Sequence, residues 1–259
     1  MQTLLDAARS GMIEHERNVE RVAHNLANIN TVGYKKLQVR FRDVFDTQTY
    51  LDLITGQAPP PEQQTSSAVV GDTESRDFGG GPAQATDRPF DLAIEGEGFF
   101  EVQLPDGTLA YTRDGAFWPD AEGSLVTTNG YRLQPSITVA AGTRDIIVQP
   151  NGVITGMPAD AKARQELGTL TLARFLNPSG LLSIGENLYA ATVASGEPEN
   201  GAPGDTGFGS LQSGFLEGSN VDLAEEMTSL MMAQRAYQLN AALYRHAEEM
   251  YRMANQLSA

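Results

Sequence analysis

The chain has 259 residues and a mass of 27.9 kDa, enough for one or two domains with a substantial core. Its 33 acidic and 18 basic side chains leave a net charge of −15, which argues against a nucleic-acid binder because neutralising phosphates needs a basic face. Cysteine is absent and the three histidines (His15, His24, His246) all lie near the ends, so thiolate chemistry, a Ser-His-Asp triad and a His-ligated zinc within a central domain are excluded.

No apolar run exceeds four residues, as in Leu230 to Ala233, so no transmembrane helix and no membrane insertion are expected. Asp6, Arg9, Glu14, Glu16 and Arg17 interrupt the stretch where the apolar core of a signal peptide would sit, and no cleavable leader is expected. All 13 prolines fall between Pro59 and Pro203, which leaves both ends free to form long helices. Charge divides the same way: residues 51–216 hold 21 acidic against eight basic side chains and carry most of the net charge.

In chain order, Leu5, Ala8, Met12, His15, Val19, Val22 and Leu26 alternate spacings of three and four, a heptad seam that predicts a helix roughly 40 Å long. It should end near Asn28 to Asn30, ahead of Gly33. Residues 35–75 read as an extended linker, with a Pro- and Gln-rich loop from Gly56 to Gly71. From 76 to 216, turn signals such as Pro105-Asp-Gly107, Asp114-Gly115, Asn129-Gly130 and Asn151-Gly152 separate short alternating segments and predict a mostly antiparallel β domain.

The last segment, 217–259, predicts a helix capped by Ser219 with Asp222 three residues on. Its apolar set, Leu223, Met227, Leu230, Met231, Tyr237, Ala241, Tyr244, Met250, Met253 and Leu257, covers more than one face. The expected class is α+β: long N- and C-terminal helices (1–34 and 217–259) paired as a coiled-coil-like stalk around a central β domain. Periodicity leaves two partners open for the apolar stripes, an intramolecular hairpin or other chains.

Signals for chemistry are sparse. Gly96-Glu-Gly98 leads into Phe-Phe and a strand, so it eases a tight strand entry rather than cradling phosphate. Asp87, Asp91, Glu95, Glu97 and Glu101 could supply a glycosidase pair or a calcium site, but they lack a calcium-loop spacing and read better as a solvated acidic face. No catalytic residue, cofactor or metal is therefore assigned. A carbohydrate-active β enzyme and a monomeric stalked adhesin are the alternatives from other classes.

Several segments carry a resemblance. Asn25-Leu-Ala-Asn-Ile-Asn-Thr-Val-Gly-Tyr-Lys-Lys36 resembles the N-terminal signature of the bacterial flagellar rod and hook proteins. Asp91 to Phe100, Ala110 to Phe117, Leu125 to Tyr131, Ser183 to Tyr189, and finally Gly214 to Asp222 with Met231 to Asn240 resemble further family segments in the same order. Gly79-Gly-Gly81 departs from the Ser-Gln-Gly type of turn more usual there. Hook proteins insert extra domains, so this length resembles a rod subunit, the distal one ahead of the proximal.

The resemblance implies a non-enzymatic subunit that polymerises into a helical tube and transmits torque from motor to hook. It implies terminal helices inside and the β domain outside, and export through the flagellar apparatus to the periplasmic rod. Implied partners are further copies, other rod proteins, the hook, the export apparatus and outer-ring bushing proteins. Leu5, Ala8, Met12, Val19, Val22 and Leu26 with Leu223, Met227, Leu230, Met231, Gln234, Arg235 and Tyr237 are the expected subunit interface. Asn25, Leu26, Ala27, Asn28, Gly33, Tyr34, Lys35, Ser219, Asn220 and Val221 are the family-motif positions, the first group setting the exit of the chain from its helix.

Overall fold

The proline-free ends form helices. The structure, a computed structural model, describes residues 2–41, 72–158 and 163–257, and the loop expected over 56–71 lies outside them. Helix α1 spans Gln2–Ala27 and α2 spans Leu223–Leu257. The α1 C-terminus is closed by Asn28, whose Nδ2 donates to the His24 carbonyl at 2.8 Å. The α2 N-cap is Asp222, not Ser219: its Oδ1 accepts the amides of Ala224 and Glu225 at 2.8 and 3.0 Å. Ser219 lies buried one turn earlier, where its Oγ accepts the Val221 amide. Glu225 and Glu226 in the first turn of α2 complement the helix dipole.

Among the described residues, eighteen short strands lie between these two helices. They are β1 (Leu37–Phe41), β2 (Asp72–Arg76), β3 (Ala83–Ala85), β4 (Leu92–Glu95), β5 (Phe100–Gln103), β6 (Leu109–Thr112), β7 (Phe117–Pro119), β8 (Leu125–Thr127) and β9 (Arg132–Gln134). Then follow β10 (Arg144–Val148), β11 (Val153–Met157), β12 (Gln165–Thr169), β13 (Leu172–Arg174), β14 (Leu182–Gly185), β15 (Leu188–Ala190), β16 (Glu199–Gly201), β17 (Ser210–Ser213) and β18 (Phe215–Glu217).

Seven of them make an antiparallel sheet in the order β14-β15-β6-β5-β9-β8-β7, and β10-β11-β12 make a second. The chain's return is made by two long-range pairs: β17 runs antiparallel to β4 and β18 to β3, with Glu217 opposite Ala83. Alternation along β5 sends Phe100 and Val102 into a core with Leu92, Phe117, Leu125, Leu133, Ile154, Leu170 and Leu172, while Glu101 and Gln103 face outward. Phe99, Tyr111, Phe175 and Tyr189 form a second core with Phe78, built of edge-to-face ring pairs at 4.8 to 6.2 Å.

The α+β class holds, but the coiled-coil-like stalk does not. Although α1 and α2 touch, α2 buries Glu226, Ala233 and Ala247, and Gly11 of α1 sits against the Asn240 side chain with no room for a Cβ. Interlocking knobs need large apolar residues facing the partner helix. Here Leu223, Met227, Met231, Met232, Leu239, Leu243, Met250 and Met253 are exposed instead. Small residues let the backbones approach, and the large ones that would build a stalk point away.

Candidate functional site

The motif residues at the end of α1 build a polar joint that fixes the helices to the β domain. Asn25 is fully buried, and its amide closes on the strand that leaves the turn: Nδ2 donates to the Leu37 carbonyl at 3.0 Å and Oδ1 accepts the Leu37 amide at 2.9 Å. The same Oδ1 accepts the Tyr34 hydroxyl at 2.9 Å. With that proton committed, the contact between Tyr34 Oη and His24 Nδ1 at 2.8 Å requires His24 to donate, which places a proton on Nδ1. Burial pushes the Tyr34 phenol up to about 12, partly opposed by the neighbouring Arg76.

At the next residue the chain meets the C-terminal arm. Lys35 Nζ lies 2.6 Å from Glu217 Oε1 with both side chains buried, and also donates to the Gly79 carbonyl at 2.7 Å. Arg113, in the connection from β6 to β7, reaches Glu217 Oε2 at 3.4 Å and the Gly96 carbonyl at 2.9 Å. Burial pulls the Lys35 ammonium below its usual value, with Glu217 working against that pull.

Lys36 turns toward α2, pairing with Glu225 at 2.9 Å and the buried Glu226 at 3.0 Å, while its amide donates to Asn220 Oδ1 at 2.8 Å. Asn220 Nδ2 donates in turn to the Asp77 carbonyl at 2.9 Å. The Asn220 side chain, two residues before the α2 cap, thereby ties the N-terminal arm at Lys36 to the segment just after β2 at Asp77.

Backbone approach completes the joint. Gly33 adopts φ +66°, and a Cβ there would lie 2.6 Å from the Asp114 amide nitrogen. Its own N–H donates to the Glu217 carbonyl at 2.8 Å. Gly81, the last residue of the Gly79-Gly-Gly81 turn, is pressed against the Gly218 carbonyl with no room for a Cβ, and its amide donates to Glu217 Oε1 at 3.0 Å.

Of the expected motif positions, Asn25, Gly33, Tyr34, Lys35 and Asn220 converge here; Ser219 and Val221 are buried beside it, Leu26 and Asn28 are half-buried, and Ala27 is exposed. Along the expected seam, Ala8 and Val22 are buried and Met12 and Val19 half-buried, while the side chain of Leu5 lies outside the described residues. On α2, Leu230 is half-buried and Leu223, Met227, Met231, Gln234, Arg235 and Tyr237 are exposed.

The sequence reading did not single out Lys36, Arg113, Glu217 and Glu226. The first three fall inside motifs quoted above, Lys36 beside Lys35, Arg113 beside Asp114 and Glu217 five residues before Asp222. What could not be seen was that Lys35 and Glu217, 182 positions apart, share a bond. Among the described residues no group of His, Asp or Glu is arranged to hold a metal ion, and no helix is long and apolar enough to cross a membrane. The joint's chemistry is that of a fastener: charge-assisted hydrogen bonds between segments far apart in sequence.

Comparison with known proteins gives the same reading from another side. Residues 5–35 match the family model described as flagella basal body rod protein, residues 93–156 the flagellar hook protein FlgE/F/G D1 domain, and residues 212–257 the flagellar basal body rod FlgEFG protein C-terminal. The chain is similar to the flagellar basal-body rod protein FlgG of Borreliella burgdorferi, 37% identical over 99% of each chain, and to that of Caulobacter vibrioides, 38% identical over 99% of each. It is also 30% identical to the flagellar hook-basal body complex protein FlhP of Bacillus subtilis, over 93% of each chain. Near-full-length identity at this level, with all three family models in chain order, shows that the chain belongs to the flagellar basal-body rod protein family, in its FlgG-like distal-rod branch.

Proposed function

We propose that this chain works as a structural subunit of the distal rod, a polymer of many copies that carries torque from motor to hook. The observation that carries the reading is the row of exposed large apolar side chains on α2, Leu223, Met227, Met231 and Tyr237 among them, on a helix anchored to the β domain by a buried polar joint. An apolar row of this extent needs cover. Repeating heterologous contacts between copies provide it without closing, as a filament requires.

In this reading residues 1–34 and 217–259 form the inner layer, residues 76–216 the outer domain and residues 35–75 the connection between them. Met12, Val19, Leu26, Leu230, Gln234 and Arg235 join the subunit interface. The neighbours are further copies, other rod proteins and the hook. The subunit is exported by the flagellar apparatus and works in the periplasmic space, within outer-ring bushing proteins. The work is mechanical and asks for stiffness rather than a reacting group.

Deleting the gene and imaging isolated basal bodies tests the reading. Loss of distal rod and hook, with the export apparatus and the rod base retained, is the expected result. Loss beginning nearer the base would assign the chain to the proximal rod, and an intact rod and hook would overturn the assignment altogether.

A further inference from the structure

The joint is assembled from three places in the chain, and its charges do not balance until the last arrives. Lys35 comes from the N-terminal arm, Arg113 from the middle of the β domain and Glu217 from β18, just before α2. Both cations lie within 3.4 Å of the one carboxylate, and all three side chains are at most 3% exposed. Asp77 and Glu97 also act on these cations, but the hydrogen-bonded anion for both is Glu217. Without it, docking the arm would bury an ammonium beside a guanidinium, with backbone carbonyls of Gly79 and Gly96 as their acceptors.

We infer that Glu217 is the positioning residue of the joint, and that it makes docking of the N-terminal arm conditional on arrival of the C-terminal arm. The β domain does not share this condition. Its core of Phe100, Val102, Leu125, Leu133 and Ile154 closes without Lys35 or Glu217. A chain emerging N-terminus first therefore forms most of its β core while the arm stays free, and the arm docks only after residue 217 has arrived. The condition belongs to the single chain and is independent of what the chain assembles into.

Hydrogen exchange on full-length Glu217→Gln tests this. The amides of Lys36, Leu37 and Asp77 report the joint, since they donate to Asn220 Oδ1, Asn25 Oδ1 and the Lys36 carbonyl respectively. Those of Val139 and Gln149 report the β domain, donating to the carbonyls of Gly123 and Val153. The expected result is a loss of joint protection of roughly 100-fold or more with the β-domain amides unchanged. In Lys35→Met/Glu217→Gln, which removes one of the two cations, joint protection should recover at least roughly tenfold. Lys35→Met alone leaves Glu217 paired with Arg113 and should keep the arm docked.

Equal loss in the single and double variants would mean that bond geometry, not charge, holds the arm, and would overturn the inference. So would parallel loss at Val139 and Gln149, or no loss at all. Should Glu217→Gln fail to fold, Lys35→Met still decides: release of the arm in that variant contradicts the charge condition.

Discussion

The β domain and α2 use similar apolar residues in opposite ways. In the β domain, Leu92, Phe100, Phe117, Leu133 and Leu172 are covered by the chain itself. On α2, Met227, Met231, Leu239, Leu243 and Met250 remain exposed although the helix is 35 residues long and touches α1. A sheet can place one whole face against another sheet, whereas a helix pressed on one neighbour covers a single stripe. The contrast separates what makes this chain fold from what makes it assemble.

The comparison breaks most sharply in the core. Phe100→Ala removes a fully buried ring and should lower stability by about 3–5 kcal/mol in chemical denaturation, through lost burial and a cavity. At the joint, Asn25→Ala leaves the Leu37 amide and carbonyl and the Tyr34 hydroxyl without their partner and should cost roughly 2–4 kcal/mol. An Asn25→Ala variant as stable as the parent would deny the joint any role in fixing the helix.

Tyr34→Phe has a smaller effect with a pH signature. At neutral pH the lost hydrogen bonds cost about 1–2 kcal/mol. Between about pH 10 and pH 12 the folded state keeps a phenol proton that the unfolded chain has released, so stability falls as pH rises through that window. Burial raises Tyr189 as well, so the variant should show a shallower fall rather than none. An unchanged alkaline slope would show that Tyr34 does not titrate late.

Asp222→Ala removes the α2 cap and should cost about 1 kcal/mol, seen as faster exchange of the Ala224 and Glu225 amides. The smallest effect on the monomer and the largest on assembly belong to Met231→Asp. Monomer stability should shift by less than about 0.5 kcal/mol because the side chain is exposed, while rods should be absent from basal bodies. Normal rods would remove Met231 from the interface, and a monomer destabilised as far as Phe100→Ala would show that α2 is part of the core after all.

Much of this was legible in local pattern. The proline-free ends, the turn pairs along the β domain and the N-terminal motif identify helices, short strands and family, because these signals act over a few residues. The cap moved from Ser219 to Asp222 because Ser219 is taken into the buried joint, where its hydroxyl serves Val221. The stalk failed for a related reason: a heptad spacing states which residues could share a seam, not which of them find a partner.

By itself the sequence determined the element types, the apolar stripes and the motif that turns the chain at Gly33, since backbone preference and periodicity are properties of neighbouring residues. Tertiary structure alone decided that Lys35 meets Glu217, that Arg113 shares it, and that the large side chains of α2 face outward. Those outcomes depend on which distant segments arrive in one place, and the energy of a buried charge is set by its neighbours in space.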